Sequence, residues 1–334
     1  MTSPGVKLLR GTIMKKLITA ILFTFITISA FALPNLLKKE EFGANAIDNL
    51  EVSLSWEDIR IKETYDTSSI EVEIYCNYKK YAPEASVSGS SLYIESTKSS
   101  FNFFSSPAGL SCTVVVYVPQ KKDFDDISIK TSSGDIEIQR PLSARNEISL
   151  TASSGDIDSN SGLFADTVKI TASSGDVEIF NVDTDDFKTH TSSGDITVKK
   201  VTGGTGSIEA SSGTIKVDDF ATEYAEFKSS SGSISVKKLD CDYFDARNTS
   251  GGITLELTNA PAASSSAECS SGDIDIYLPM RAKFTVDASC SSGTFRDKFT
   301  NNRLNPREGY HMDYNGGGPS IKLRTSSGDI TLEY

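Results

Sequence analysis

Six aspartates each close a Ser-Ser-Gly-Asp: Asp135, Asp156, Asp176, Asp195, Asp273 and Asp329. In the first three units a second acid follows two residues on, as Glu137, Asp158 and Glu178. If these units stack, Asp135, Asp156, Asp176 and Asp195 form a ladder of carboxylates about 5 Å apart. Like charges at that spacing repel, and a ladder of this kind is a candidate calcium site, because calcium takes carboxylate oxygens. The structural alternative is plain: aspartate after glycine is a good turn residue. Thr214, Ser233, Gly252 and Thr294 interrupt the row, and the unit is not the nonapeptide calcium repeat. No cofactor is expected.

Other chemistry has less to work with. The two histidines, His190 and His311, have no spaced serine or cysteine partner, which leaves a nucleophilic triad without support. A solenoid enzyme acting on sugars needs an acid cluster with Arg, Lys or a second acid on one outer face. Arg247, Arg281 and Arg296 are available, but none departs from the repeat in a way that marks a catalytic site. No catalytic residue is assigned, and the chain is read as a non-enzyme. Two irregular stretches are candidate recognition loops. "KSSFNFFSSPAG" carries Phe101, Phe103 and Phe104, and the stretch "NNRLNPREGYHMDYNGGGPS" carries Tyr310, His311, Met312 and Tyr314. Each would either bind a partner or fold back over an end of the fold.

The elements that must position these residues come from the repeat. The marker glycines are Gly134, Gly155, Gly175, Gly194, Gly213, Gly232, Gly251, Gly272, Gly293 and Gly328. They recur at intervals of 21, 20, 19, 19, 19, 19, 21, 21 and 35 residues. The residues five before each glycine and two after it are mostly apolar, from Ile129 and Ile136 through Leu323 and Ile330. Apolar residues thus alternate on both sides, as in strands with one buried face. The parity breaks at the glycine, which marks a bend, and glycine would supply positive φ there.

Three residues before the glycine only small side chains stand, Thr131, Ala152 and Asn248 among them, as at an inward-facing tight corner. Cys269 and Cys290 share this rung one repeat apart, so stacked units would bring them within ~5 Å. They read either as a disulfide or as small reduced core residues. Cys76 and Cys112, on separate early strands, are the better disulfide candidates; the odd count of 5 cysteines cannot pair completely.

This pattern predicts an all-β fold, a single-stranded β-helix (β-solenoid) of about 20 residues per coil. Regular repeats run over 120–334. The stretch 46–119 is strand-like but lacks clear units, and is expected to form irregular first coils or an N-terminal cap. Residues 33–334 are expected to make one domain.

The start of the chain reads as a signal peptide over 1–32. Lys15 and Lys16 precede an apolar run from Leu17 to Ile28 and then Ala30-Phe31-Ala32, with Met14 the expected true start. Losing Lys7, Arg10, Lys15 and Lys16, with no acid among them, takes the net charge from −12 to −16. Such an acidic surface argues against nucleic acid as a partner. No later segment is apolar enough to span a membrane.

"CTVVVYVPQKKDFDDISIKTSSGDIEI" and the closing "GGGPSIKLRTSSGDITLEY" resemble the bacterial "putative adhesin" β-strand-repeat family of unknown function. The resemblance covers most of Leu50 to Tyr334. It implies a single-stranded β-helix, exported or associated with the cell envelope, and carries over no catalytic residue.

Residues and resemblance together lead to an exported, non-catalytic structural or adhesin-like binding protein of the bacterial cell envelope, in the periplasm, on the outer surface or secreted. Its partner would be an envelope or surface glycan or protein. The alternatives are a carbohydrate-active β-helix enzyme of the lyase or hydrolase type and a self-assembling envelope scaffold.

Overall fold

The corner expected at each marker glycine exists, and a close approach explains it better than backbone freedom does. In the computed structural model, which describes residues 35–97, 109–305 and 309–334, the carbonyl of one unit's glycine lies against the Cα of the next. A Cβ built on Gly155 would sit 1.8 Å from the Gly134 carbonyl oxygen. Positive φ is not the reason at Gly134, Gly155, Gly175, Gly194 or Gly213, and enters the row only from Gly232, where φ is 130°. The expected leader 1–32 and the Phe101, Phe103 and Phe104 loop lie outside the described residues.

Among the described residues 24 strands and two short 3-10 turns, Ala44–Ala46 and Lys79–Tyr81, make up the regular structure. The strands pair in parallel with the glycine alignment as their register. Ile157 faces Val177, Val177 faces Ile196, Ile196 faces Ile215 and Ile215 faces Ile234. The result is an all-β, solenoid-like stack in which equivalent residues form columns.

Columns that point inward form one continuous core. Bulk in one unit is matched by its absence in the next. Phe220 and Phe227 meet edge-on at 5.0 Å, over Gly206, where a Cβ would strike the Phe220 ring at 2.3 Å, and beside Ala246. This is how a repeat holds interior packing density without identical residues.

The small-residue column is buried throughout and has a second function where it is polar. Thr191, Ser229 and Thr325 donate their hydroxyls to the glycine carbonyls of the preceding units, Gly175, Gly213 and Gly272, at 3.3, 3.3 and 3.0 Å. Asn248 Nδ2 reaches the Gly232 carbonyl at 2.6 Å. A buried polar group is tolerated when it is hydrogen-bonded.

At both ends the stacking order departs from chain order. Strand Ser265–Ser271 does not pair with Phe284–Ser292; the C-terminal strand Ser320–Ser327 lies between them, parallel to both. Ile330–Glu333 likewise lies between Ile274–Tyr277 and Phe295–Asp297. The last unit in sequence is therefore next to last in the stack. This corrects the expected juxtaposition of Cys269 and Cys290, because Thr325 is the direct partner of each. No sulfur–sulfur bond joins any two of the five cysteines in the structure.

The N-terminal end mirrors this. Asn49–Ser53 lies between Phe124–Thr131 and Ser91–Glu95, and Asp58–Thr64 between Ile136–Ile138 and Cys112–Pro119. Residues 49–64 thus form a unit aligned with the repeats inside the stretch expected to be irregular, with Glu57 in the glycine's place. A Cβ on Gly134 would meet the Glu57 carbonyl at 2.0 Å. Leu50, Val52, Leu54, Ile59 and Ile61 stand at the same offsets from Glu57 as the core residues do from each glycine, and all five are buried.

Antiparallel strands cover both ends. Leu36–Gly43 pairs with Ser69–Cys76, which pairs with Cys112–Pro119. At the other end Tyr310–Tyr314 pairs with Phe284–Ser292, and Asn302–Leu304 with Phe295–Asp297. Part of the stretch expected as an inserted loop is therefore strand.

Candidate functional site

The aspartate ladder forms, and its carboxylates are engaged by the backbone. Asp135 Oδ1 accepts the amide of Asp156 at 3.0 Å, Asp156 that of Asp176 at 2.8 Å, and Asp176 that of Asp195 at 2.8 Å. Asp195 accepts from Thr214 N at 2.7 Å, and Asp273 from Asp329 N at 2.7 Å. The row begins one unit earlier than the repeat suggests, since Asp58 Oδ1 takes the amide of Asp135 at 3.2 Å. Each charge is thereby solvated by the amide above it, which offsets repulsion along the column. Burial raises the Asp58 carboxyl above its ordinary value, whereas the Thr294 amide holds that of Asp329 below it. Of the outer acids, Glu137 pairs with Arg60 at 3.0 Å, and burial pushes Asp158 up. Among the described residues no group of three or more His, Cys, Asp or Glu side chains is arranged to hold a metal ion.

The histidines and the tyrosines of the C-terminal stretch are absorbed by local structure. His190 lies half-buried, 3.8 Å from Glu209. His311 Nδ1 sits 2.6 Å from Asp287 Oδ1, a contact that raises its pKa, while Ser320 donates to the other oxygen of the same carboxylate at 2.6 Å. The serine and the histidine share an acid instead of bonding each other, which is the wrong order for activating a hydroxyl. Tyr314 and Tyr310 donate to buried Asp297 at 2.9 and 3.3 Å. Tyr314 is only 4% exposed and stacks on Phe284 at 4.6 Å. These tyrosines close the core, so Tyr314 has no surface to offer a ligand.

A groove runs across the units of the C-terminal half. Its volume is about 640 Å³, and its floor includes Ser229, Asn248 and Cys269. One wall is the outward column Glu209, Lys228, Arg247, Glu268 and Arg324, in which each residue pairs with the next. The other is a row of corner hydroxyls, Ser230, Thr249, Ser270 and Ser326 among them. Lys228 is bonded to Glu226 at 2.5 Å, and Arg247 to Asp245 at 2.8 Å. Arg324 is exposed and forms no ion pair among the described residues. Asn248 is 4% exposed, and its Oδ1 lies buried without a hydrogen-bond partner.

On the same face, four residues back along two of these strands, Tyr224 and Tyr243 stack at 5.0 Å with an interplanar angle of 13°. The signal for the groove was in the sequence as one column, the position four before each glycine, where basic residues interrupt an otherwise acidic chain.

The fold and this face define a solenoid-like all-β repeat protein with a polar groove along one sheet. The family model described as Toastrack DUF4097 matches residues 47–184 and 162–333, and the chain belongs to that family. Among curated proteins none matches it. The chain is similar to solved structures at low identity. A "putative adhesin" from Parabacteroides distasonis is 13% identical, with 90% of this chain and 98% of that one covered and a TM-score of 0.45. One from Bacteroides fragilis is 14% identical, with 90% and 96% covered and a TM-score of 0.36. A "Putative lipid binding protein" from P. distasonis is 18% identical, with 88% and 96% covered and a TM-score of 0.40. Among the described residues no helix is long and apolar enough to cross a membrane.

Proposed function

We propose that this chain is an exported, non-catalytic, adhesin-like binding protein of the bacterial cell envelope, and that the groove takes a surface glycan. Its residues 33–334 would form one single-stranded β-helix of about 20 residues per coil, delivered by a leader over 1–32. The observation that carries the ligand reading is an exposed arginine facing a row of hydroxyls in one groove. Arg324 is exposed and forms no ion pair among the described residues, and the corner hydroxyls of Ser230, Thr249, Ser270 and Ser326 stand opposite it. Acidic glycan substituents would pair with Arg324, glycan hydroxyls with the corner hydroxyls, and sugar rings pack on stacked aromatic side chains such as Tyr224 and Tyr243.

The acid geometry argues for binding over hydrolysis. Glu209 and Glu268 stand three strand spacings apart, about 14 Å, beyond the ~5–9.5 Å of paired glycosidase carboxylates. Glu226 and Asp245 are direct partners across adjacent strands. Burial would raise Glu226, but hydrogen bonds from Lys228 and Ser207 outweigh it and hold the group below its ordinary range. A general acid needs the opposite shift.

A glycan array probed with residues 33–334 tests the reading. A hit weakened at least tenfold by Arg324→Ala and by Tyr243→Ala is the expected outcome. Binding indifferent to both variants would remove the groove from the proposal. Product release from a bound glycan would return it to the enzymes.

A further inference from the structure

We infer that Cys76 and Cys112 are built to close as a cross-strand disulfide that locks the N-terminal cap. The two residues face each other in register across the antiparallel strands Ser69–Cys76 and Cys112–Pro119. The type of pair follows from the adjoining bond. The amide of Asn77 donates to the carbonyl of Ser111 at 3.2 Å, the bond that flanks a non-hydrogen-bonded pair. In such pairs the Cα atoms come to about 4.5 Å, within the roughly 4.4–6.8 Å that a disulfide spans. Both side chains point into the core and are 3% exposed. The turn beyond them is clamped, since Asn77 Nδ2 donates to Gly109 O at 2.6 Å and Asn77 Oδ1 accepts from Ser111 N at 3.1 Å. The register is held before any sulfur bond forms.

Cys269 and Cys241 are placed differently. Thr325 separates Cys269 from Cys290. Cys269 Sγ contacts the Gly251 carbonyl at 3.2 Å, and burial pushes the Cys241 thiol up to about 12. One cystine and three thiols account for the odd count.

The chemistry is a two-electron oxidation by thiol–disulfide exchange, and the oxidant is the disulfide of an oxidoreductase. Either thiol can open the exchange; with Cys76 as the attacker, its thiol first loses a proton to solvent. It forms a mixed disulfide and releases one thiolate of the oxidant. Cys112 then gives up its proton, attacks the Cys76 sulfur and expels the second thiolate, leaving the oxidant as a dithiol. Two thiols become one cystine, with both electrons and both protons passed on. Because the folded pair is buried, exchange takes place while the cap is still closing. Export would supply such an oxidant in the cell, but the pairing itself does not depend on export.

The full chain is reduced, unfolded and refolded with glutathione disulfide as the probe, then alkylated in denaturant. Two of the 5 cysteines are expected to resist alkylation, and proteolysis is expected to yield a Cys76–Cys112 linked peptide that dithiothreitol releases. Cys76→Ser or Cys112→Ser abolishes the linkage, while Cys269→Ser leaves it intact. Five alkylatable thiols in the refolded chain, or a linked peptide joining other cysteines, overturns the inference. The unsubstituted chain decides the matter even where a variant fails to fold, and no outcome depends on where the cell sends the protein.

Discussion

Cys269 and Thr325 are direct partners across two parallel strands although 56 residues separate them in the chain. The unit that follows Cys269 in sequence goes to the outer end of the stack, and the C-terminal unit returns to fill the vacant slot. Deleting Ser320–Tyr334 would therefore open two facing strand edges, at Ser265–Ser271 and at Phe284–Ser292. Exposed edges recruit other chains. The truncated protein is expected to aggregate in size-exclusion chromatography and to be cleaved by protease between 265 and 305. A monodisperse, protease-resistant truncation would contradict this account of the end.

Gly155→Ala is expected to cost about 3 kcal/mol or more, in the range of backbone strain at a constrained position. The new methyl would meet the Gly134 carbonyl at 1.8 Å, and backbone on both sides would have to move. Gly43→Ala is the control: nothing lies within 4 Å of its Cβ position, and φ there is −61°. Urea denaturation should place that variant within about 0.5 kcal/mol of the parent.

Asp176→Ala leaves the Asp195 amide without its 2.8 Å acceptor, a loss of about 1–3 kcal/mol. Asp176→Asn keeps an oxygen acceptor and is expected to recover most of it. Because each carboxylate commits one oxygen to an amide and no three acids converge among the described residues, the melting temperature in calcium should equal that in chelator. A calcium-dependent rise would restore the ladder as a metal site.

His311 and Asp287 set a pH window for the C-terminal cap. The hydrogen bond that His311 donates to Asp287 raises the His311 pKa. Its stabilising contribution is thus full below the unfolded value of about 6.5 and is lost as pH rises through the folded one. The same bond lowers Asp287. Its contribution is present above about 3.9 and is lost as pH falls through the depressed value. An NMR titration should show His311 above the ordinary value in the parent and back at it in Asp287→Asn.

The core was legible because each inward position is written many times. Ile136, Ile157 and Val177 fall into one buried column on alternation alone. Stacking order was not legible, since Cys269 and Cys290 carry the same local pattern whether or not a third unit comes between them. Order at the ends depends on which strands remain unpaired once the chain has capped itself, and no spacing within a unit encodes it. The unit around Glu57 was hidden for a different reason. Glutamate fills the glycine's place, and its carboxylate folds back to accept the amides of Ser55 and Trp56 at 2.9 and 3.0 Å. The groove was legible only as single charges, because its depth arises from how six units line up.

The out-of-order ends also bear on how the molecule would carry load. Ile330–Glu333, beside the terminal Tyr334, is bonded to strands on both of its sides. A pull on Glu333 cannot unzip an outermost strand one bond at a time. It has to shear a strand out from between two others, breaking both rows of bonds together. Resistance to pulling at this end therefore comes from two rows of bonds rather than one.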